Sequence, residues 1–174
     1  MFNKPTLKQL RHSLIWALCL PVLAQAHNMG NSAHTPLPPV PDSIEQAKGT
    51  DAKLEHNKQL VVFAFNEAFN KHDLSALDQF FGPYKQHSAG ADGVEGLRAF
   101  AVPFLKQFPN SSAEIKRVMA EGDWVMLHNH AKISPEDRGM ICMDLFRVDG
   151  EHIVEHWDSC QEIPATRQND NSPF

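Results

Sequence analysis

The sequence predicts an α+β fold: a cone-shaped, curved and mostly antiparallel sheet packed against N-terminal helices and enclosing a pocket. Three observations lead there. Apolar residues recur at helical spacing as far as Phe108, they alternate with period two from Ser112 onward, and turn signals divide that second half into four strands. Helices that precede the strands within one small unit pack on one face of a sheet. A sheet bent around helices leaves an open end where a small molecule fits.

The first element is an amphipathic helix from Ala52 to Asn70, with Leu54, Val61, Val62, Phe65, Ala68 and Phe69 on its apolar side. Asp73 is placed to cap a short helix through Leu74, Leu77, Phe80 and Phe81, which Gly82-Pro83 ends. Tyr84-Lys85-Gln86-His87 then leads into a Gly/Asp-rich loop. A third helix spans Val94 to Phe108, and Pro103 inside it predicts a kink or a break.

Four strands follow: Ala113–Met119, Trp124–Ile133, Met140–Val148 and Ile153–Glu162. Glu121-Gly122-Asp123 turns the first pair, and Asp149-Gly150 marks a tight hairpin in the last. The folded domain is expected over 52–164, with a flexible tail at 165–174.

The N-terminal region has another character. Lys4, Lys8 and Arg11 precede the apolar run Leu14–Leu20, no acid occurs before Asp42, and Ala24-Gln25-Ala26 supplies small residues at a cleavage site. This order reads as a secretory signal peptide over 1–26 and predicts a periplasmic or secreted product. The apolar run falls short of the roughly 20 residues a spanning helix needs, so no stable membrane span is expected after cleavage. Residues 27–51, with four prolines and no apolar periodicity, read as a disordered Pro-rich tether. His27 and His34 belong to that solvated linker rather than to a copper site.

Composition narrows the function. The 174 residues suit one domain, and a formal charge of −5 argues against a nonspecific nucleic-acid binder. After cleavage only Cys142 and Cys160 remain of the three cysteines, too few for a four-thiolate zinc site. A three-residue hairpin turn sets these two diagonally, with Cα atoms about 7–8 Å apart. That exceeds the usual disulfide span, so no bond is expected.

Several residues could carry chemistry. His128-Asn129-His130 lies in a strand, so both imidazoles project to one face in line with Trp124 and Met126. Asp144 is the lone acid in Met143-Asp144-Leu145-Phe146, and its parity matches Phe146 and Val148. An enclosed carboxylate there is a candidate proton shuttle. Glu155-His156-Trp157-Asp158 is the densest polar and aromatic cluster. Whether Asp144 faces Glu155, His156 or Trp157 depends on a turn of two, three or four residues. His87 stands at a helix-to-loop boundary. The expectation is that His87, His128 or His130, and Asp144 converge in one cavity lined by Phe65, Phe100, Trp124 and Phe146, with Asp144 as the acid/base. His156 and Trp157 are added as substrate contacts.

The ordered set of segments carries a resemblance. It comprises Phe69-Asn70-Lys71-His72-Asp73, Gly82-Pro83-Tyr84-Lys85-Gln86-His87, Asp92-Gly93-Val94-Glu95-Gly96 and Ile115 to Asp123. His128-Asn129-His130, Asp144-Leu145-Phe146-Arg147-Val148 and Ile153-Val154-Glu155-His156-Trp157-Asp158 complete it. Over about Leu54 to Pro164 the chain closely resembles the SnoaL-like polyketide cyclase group of the nuclear transport factor 2-like superfamily. The resemblance implies a cone of helices over a bent sheet, often paired as a homodimer, with a pocket for a small apolar or carbonyl-containing molecule. It implies Asp144 as acid/base of an aldol closure, His87 and His130 as assistants, and neither metal nor cofactor.

Two other classes compete. A non-catalytic periplasmic binding module shares every feature above. A His-ligated, cupin-like metal enzyme is suggested by Gly122 and His128-x-His130, but Glu136 and Gly139 are wrongly spaced and helices precede the strands.

Overall fold

Helix α1, Asp51–Phe69, buries Leu60, Val61, Ala64, Phe65 and Ala68. Their spacing of one, three and four residues draws a single apolar stripe. The computed structural model describes residues 51–174. The signal peptide expected at 1–26 and the tether up to residue 50 lie outside the described residues; Asp51, its last position, already starts α1.

Helix α2, Ser75–Phe80, is short, and Asp73 Oδ1 accepts the Ser75 amide at 3.0 Å. The chain then enters strand β1, Phe81–Gln86. This strand was not expected, because Gly82-Pro83 reads as a stop. Proline is tolerated on an edge strand, and β1 is an edge. Helix α3, Gly93–Gln107, begins at a positive-φ glycine and runs through Pro103. Of the kink or break expected at that proline, the break does not occur; the helix ends four residues later.

Strands β2 (Ser112–Glu121), β3 (Trp124–Lys132), β4 (Met140–Asp149) and β5 (His152–Glu162) follow. The sheet order is β1-β5-β4-β3-β2. β1 runs parallel to β5, and the other three pairings are antiparallel. The fold is therefore the expected α+β one, with helices preceding an open, mostly antiparallel sheet. Irregularities in β1, β2 and β5 bend it.

Register sets what each face carries. Val125 pairs with Phe146, Leu127 with Asp144 and Asn129 with Cys142, so all six side chains share the inner face. Leu77, Val125, Leu127 and Ile153 are fully or almost fully buried there, each contributing about 1.5–3 kcal/mol. Trp124, Met126, His128 and His130 lie on the outer face, opposite Arg147, Leu145, Met143 and Ile141.

The β4–β5 register differs from all three alternatives weighed above. Asp149 pairs with His152, leaving a two-residue turn at Gly150-Glu151, and a bulge between Arg147 and Val148 adds one residue to β5. Asp144 consequently faces Asp158, and Cys142 faces Cys160. The two cysteines are directly opposite, Cα atoms 4.2 Å apart, and form a disulfide. The expectation of free thiols is corrected: it rested on a diagonal register, from which the observed turn and the bulge each move the pairing by one residue.

Residues 163–174, which include the flexible tail expected at 165–174, carry no helix or strand. The Phe174 ring lies on the outer face, 4.7 Å from the His130 ring.

Candidate functional site

Asp144 sits mid-strand in β4 on the inner face, 8% exposed. A carboxylate so enclosed must have hydrogen-bond donors, and it has two. His156 Nε2 lies 3.0 Å from Oδ1, and Asn129 Nδ2 donates to Oδ2 at 2.5 Å. The bulge supplies the first partner, since it brings His156 opposite Phe146, two pairs along from Asp144 and so on the same face. Asn129 comes from β3 on the other side, where its pair with Cys142 is two along from the Leu127–Asp144 pair. The Phe146 and His156 rings stack at 4.5 Å, and Phe65 meets Phe146 edge-on at 6.3 Å. The Asp144 and His156 side chains each keep 11% of their surface exposed.

β1 adds a second layer. Gln86 Nε2 lies 3.2 Å from His156 Nδ1 and 3.3 Å from Tyr84 Oη. The Gln86 carbonyl accepts the Ser88 amide at 3.2 Å. Ser88 Oγ donates to Asp158, whose own amide returns a bond to that oxygen at 3.2 Å. Asp92, just before α3, accepts the Gln86 amide at 2.9 Å and ties the loop to the strand.

Burial pushes the Tyr84 phenol well above its ordinary value, and the carboxylates of Asp158, Asp144 and Asp92 push the same way. The phenol is therefore neutral. It accepts from Gln86, so its own proton is not used in that bond.

The sequence-predicted residues divide between two faces. Asp144, His156, Phe65 and Phe146 meet inside. His87, Trp157 and Trp124 gather outside: His87 stacks on Trp157 with ring centroids 3.9 Å apart, and Trp124 meets Trp157 at a tilt, 5.3 Å away. His87 Nε2 bonds Glu155 at 2.8 Å, and Arg147 Nε bonds the other Glu155 oxygen at 2.6 Å. Burial raises the Glu155 proton affinity, but the His87 and Arg147 contacts outweigh it and hold the carboxyl below its usual range.

His128 and His130 are also outside. Arg117 donates to His128 Nδ1 at 3.3 Å, and His128 Nε2 is buried without a partner. His130 Nε2 donates to the Arg138 carbonyl at 2.7 Å. The convergence of His87, His128 or His130 with Asp144 in one cavity is thus corrected. The β3–β4 register sets Leu127, not a histidine, opposite Asp144. Phe100 is not a lining residue either: it is 42% exposed, because α3 buries Leu97, Ala101 and Leu105 instead.

Asn129, Tyr84, Gln86, Ser88 and Asp158 were missed as site residues. Asn129 had a signal: it alternates with two histidines and so shares the parity of Leu127. Tyr84 and Gln86 share a period of two, which the reading of their segment as a loop hid. Among the described residues no three His, Cys, Asp or Glu side chains gather to hold a metal ion. No described helix is long and apolar enough to cross a membrane.

The sequence profile of the SnoaL-like polyketide cyclase family matches residues 59–169. Solved structures agree in fold. A loop-truncation variant of IdmH, a Streptomyces antibioticus protein, is 22% identical with a TM-score of 0.53, covering 60% of this chain and 91% of its own. A SnoaL-like protein of unknown function from Burkholderia thailandensis is 18% identical with a TM-score of 0.52, covering 65% and 98%. AclR from Streptomyces galilaeus is 20% identical with a TM-score of 0.50, covering 62% and 90%. No curated protein matches.

Proposed function

The chain belongs to the SnoaL-like polyketide cyclase family, and from that premise we propose that it is a metal-independent acid/base catalyst of a cyclase, isomerase or aldol-type step on a small carbonyl-containing molecule. The observation that carries this reading is the enclosed Asp144, held by His156 and Asn129 and facing the interior of the sheet.

Proton abstraction next to a carbonyl needs a base and a donor for the enolate oxygen. Asp144 takes the proton in this scheme. Its two donors fix the carboxylate and leave it lone pairs in other directions. The neutral Tyr84 phenol supplies a proton donor about the same cluster. The substrate is neutral: Asp144, Asp158 and Asp92 surround the phenol, and a substrate carboxylate would add a like charge to this group. The reading includes export with removal of residues 1–26, and self-association as a homodimer.

The test needs no knowledge of the natural substrate. Purified protein in deuterium oxide is offered a panel of small cyclic and linear β-dicarbonyl compounds. Catalysed exchange of the α-hydrogen, read by mass, supports the reading. Ligand binding without exchange across the panel favours the non-catalytic binding module instead.

A further inference from the structure

We propose that Gln86 is a positioning residue that holds the single proton of the His156 ring on Nε2, pointing at Asp144. The Ser88 backbone N–H can only donate, so the Gln86 side-chain atom it meets at 3.2 Å is the carbonyl oxygen. The other end of the Gln86 amide is then the NH₂ group, which faces His156 Nδ1 at 3.2 Å and Tyr84 Oη at 3.3 Å. An NH₂ group donates, so Nδ1 accepts and carries no hydrogen. The ring proton therefore resides on Nε2, where Asp144 Oδ1 accepts it at 3.0 Å.

The order of the four groups is Ser88, Gln86, His156, Asp144, and each link sets the next. Asp144 on β4 faces the ring at Nε2, and Tyr84 on β1 stacks beside it with ring centroids 6.4 Å apart. Gln86 offers hydrogens to Nδ1 instead of lone pairs, so a proton on Nδ1 would find no acceptor there. A neutral ring leaves the Asp144 carboxylate hydrogen-bonded but not ion-paired. The chemical purpose rests on the reading of Asp144 as the reacting base. The location of the proton is a property of the resting protein.

The test is ¹⁵N–¹H correlation of the histidine rings in the full-length protein at pH 7, with His156→Gln assigning the signals. The wild type should show one neutral Nε2–H tautomer for His156. Gln86→Leu removes the donor from Nδ1 while Asp144 still accepts from Nε2, and a ring protonated on both nitrogens should appear beside the Nε2–H form. Gln86→Glu replaces the donor with an acceptor, and both ring nitrogens should carry protons. Ser88→Ala keeps the backbone N–H, should leave the wild-type pattern in place, and reports on a folded control. A wild-type ring protonated on Nδ1, or an unchanged tautomer in both Gln86 variants, would overturn the proposal. No substrate enters this experiment. A protein inactive towards every carbonyl probe but with the expected tautomers refutes the catalytic reading alone.

Discussion

Asp144 and His156 lie on adjacent strands with Oδ1 and Nε2 3.0 Å apart, although the residue directly across from Asp144 is Asp158. The contact is diagonal, and it exists because one extra residue in β5 shifts the register beyond the hairpin turn. The same shift sets Cys142 opposite Cys160, so one irregularity creates both the acid–histidine pair and the disulfide beside it.

The disulfide closes a loop with a sequence separation of 18 residues. On chain-entropy grounds such a loop contributes about 3 kcal/mol. The double variant Cys142→Ser, Cys160→Ser should therefore be less stable by about 2–4 kcal/mol in denaturant titration. An equal shift should follow reduction of the wild type, and alkylation of the native, unreduced protein should label neither cysteine.

Tyr84 is the single tyrosine of the chain, so its ionisation can be followed by ultraviolet absorbance without assignment. Its folded-state proton affinity is raised, by burial first and by the neighbouring carboxylates next. A group raised in this way contributes stability that is full below its unfolded value and is lost as pH rises beyond it. The phenolate signal should stay absent above pH of about 10, the ordinary tyrosine value, and should appear together with loss of structure. Titration of the folded protein at the ordinary value would contradict this.

Glu155 behaves in the opposite sense. Burial alone would raise it, yet the His87 and Arg147 contacts win and its folded-state value is depressed. Its contribution is present above the ordinary glutamate value and is lost as pH falls through the folded one. Melting temperatures measured from pH 6 down to 3 should fall more steeply in the wild type than in Glu155→Gln, with the variant less stable at pH 6.

Much of the architecture was legible in the sequence. Val61, Phe65 and Ala68 declare α1 by spacing, and alternation declares β2 to β5. β1 was not legible, since Gly82-Pro83 resembles a terminator and only pairing with β5 makes an edge strand of it. Within the site, Asp144 stood out as one acid in an apolar strand. Its partner did not, because that depends on a bulge between Arg147 and Val148. The His128–His130 pair was misplaced for a related reason. Parity shows that the two share a face, but only the β3–β4 register shows that Asp144 is on the other one.

Export is testable by mass. The basic start, the short apolar run and Ala24-Gln25-Ala26 predict that the protein recovered from a secreting host begins at His27. Recovery of only the full-length chain from the cytosol would reject it.

The most direct test of the account is Asp144→Asn in the deuterium-exchange assay, alongside binding of the best probe. The amide fills the volume of the carboxylate but cannot take a proton. The account predicts a fold that melts close to the wild type, probe affinity within a few-fold, and exchange slowed by about 10²–10⁴-fold. A variant that still exchanges at near the wild-type rate, even with lowered stability, would assign Asp144 a purely structural role and contradict the account.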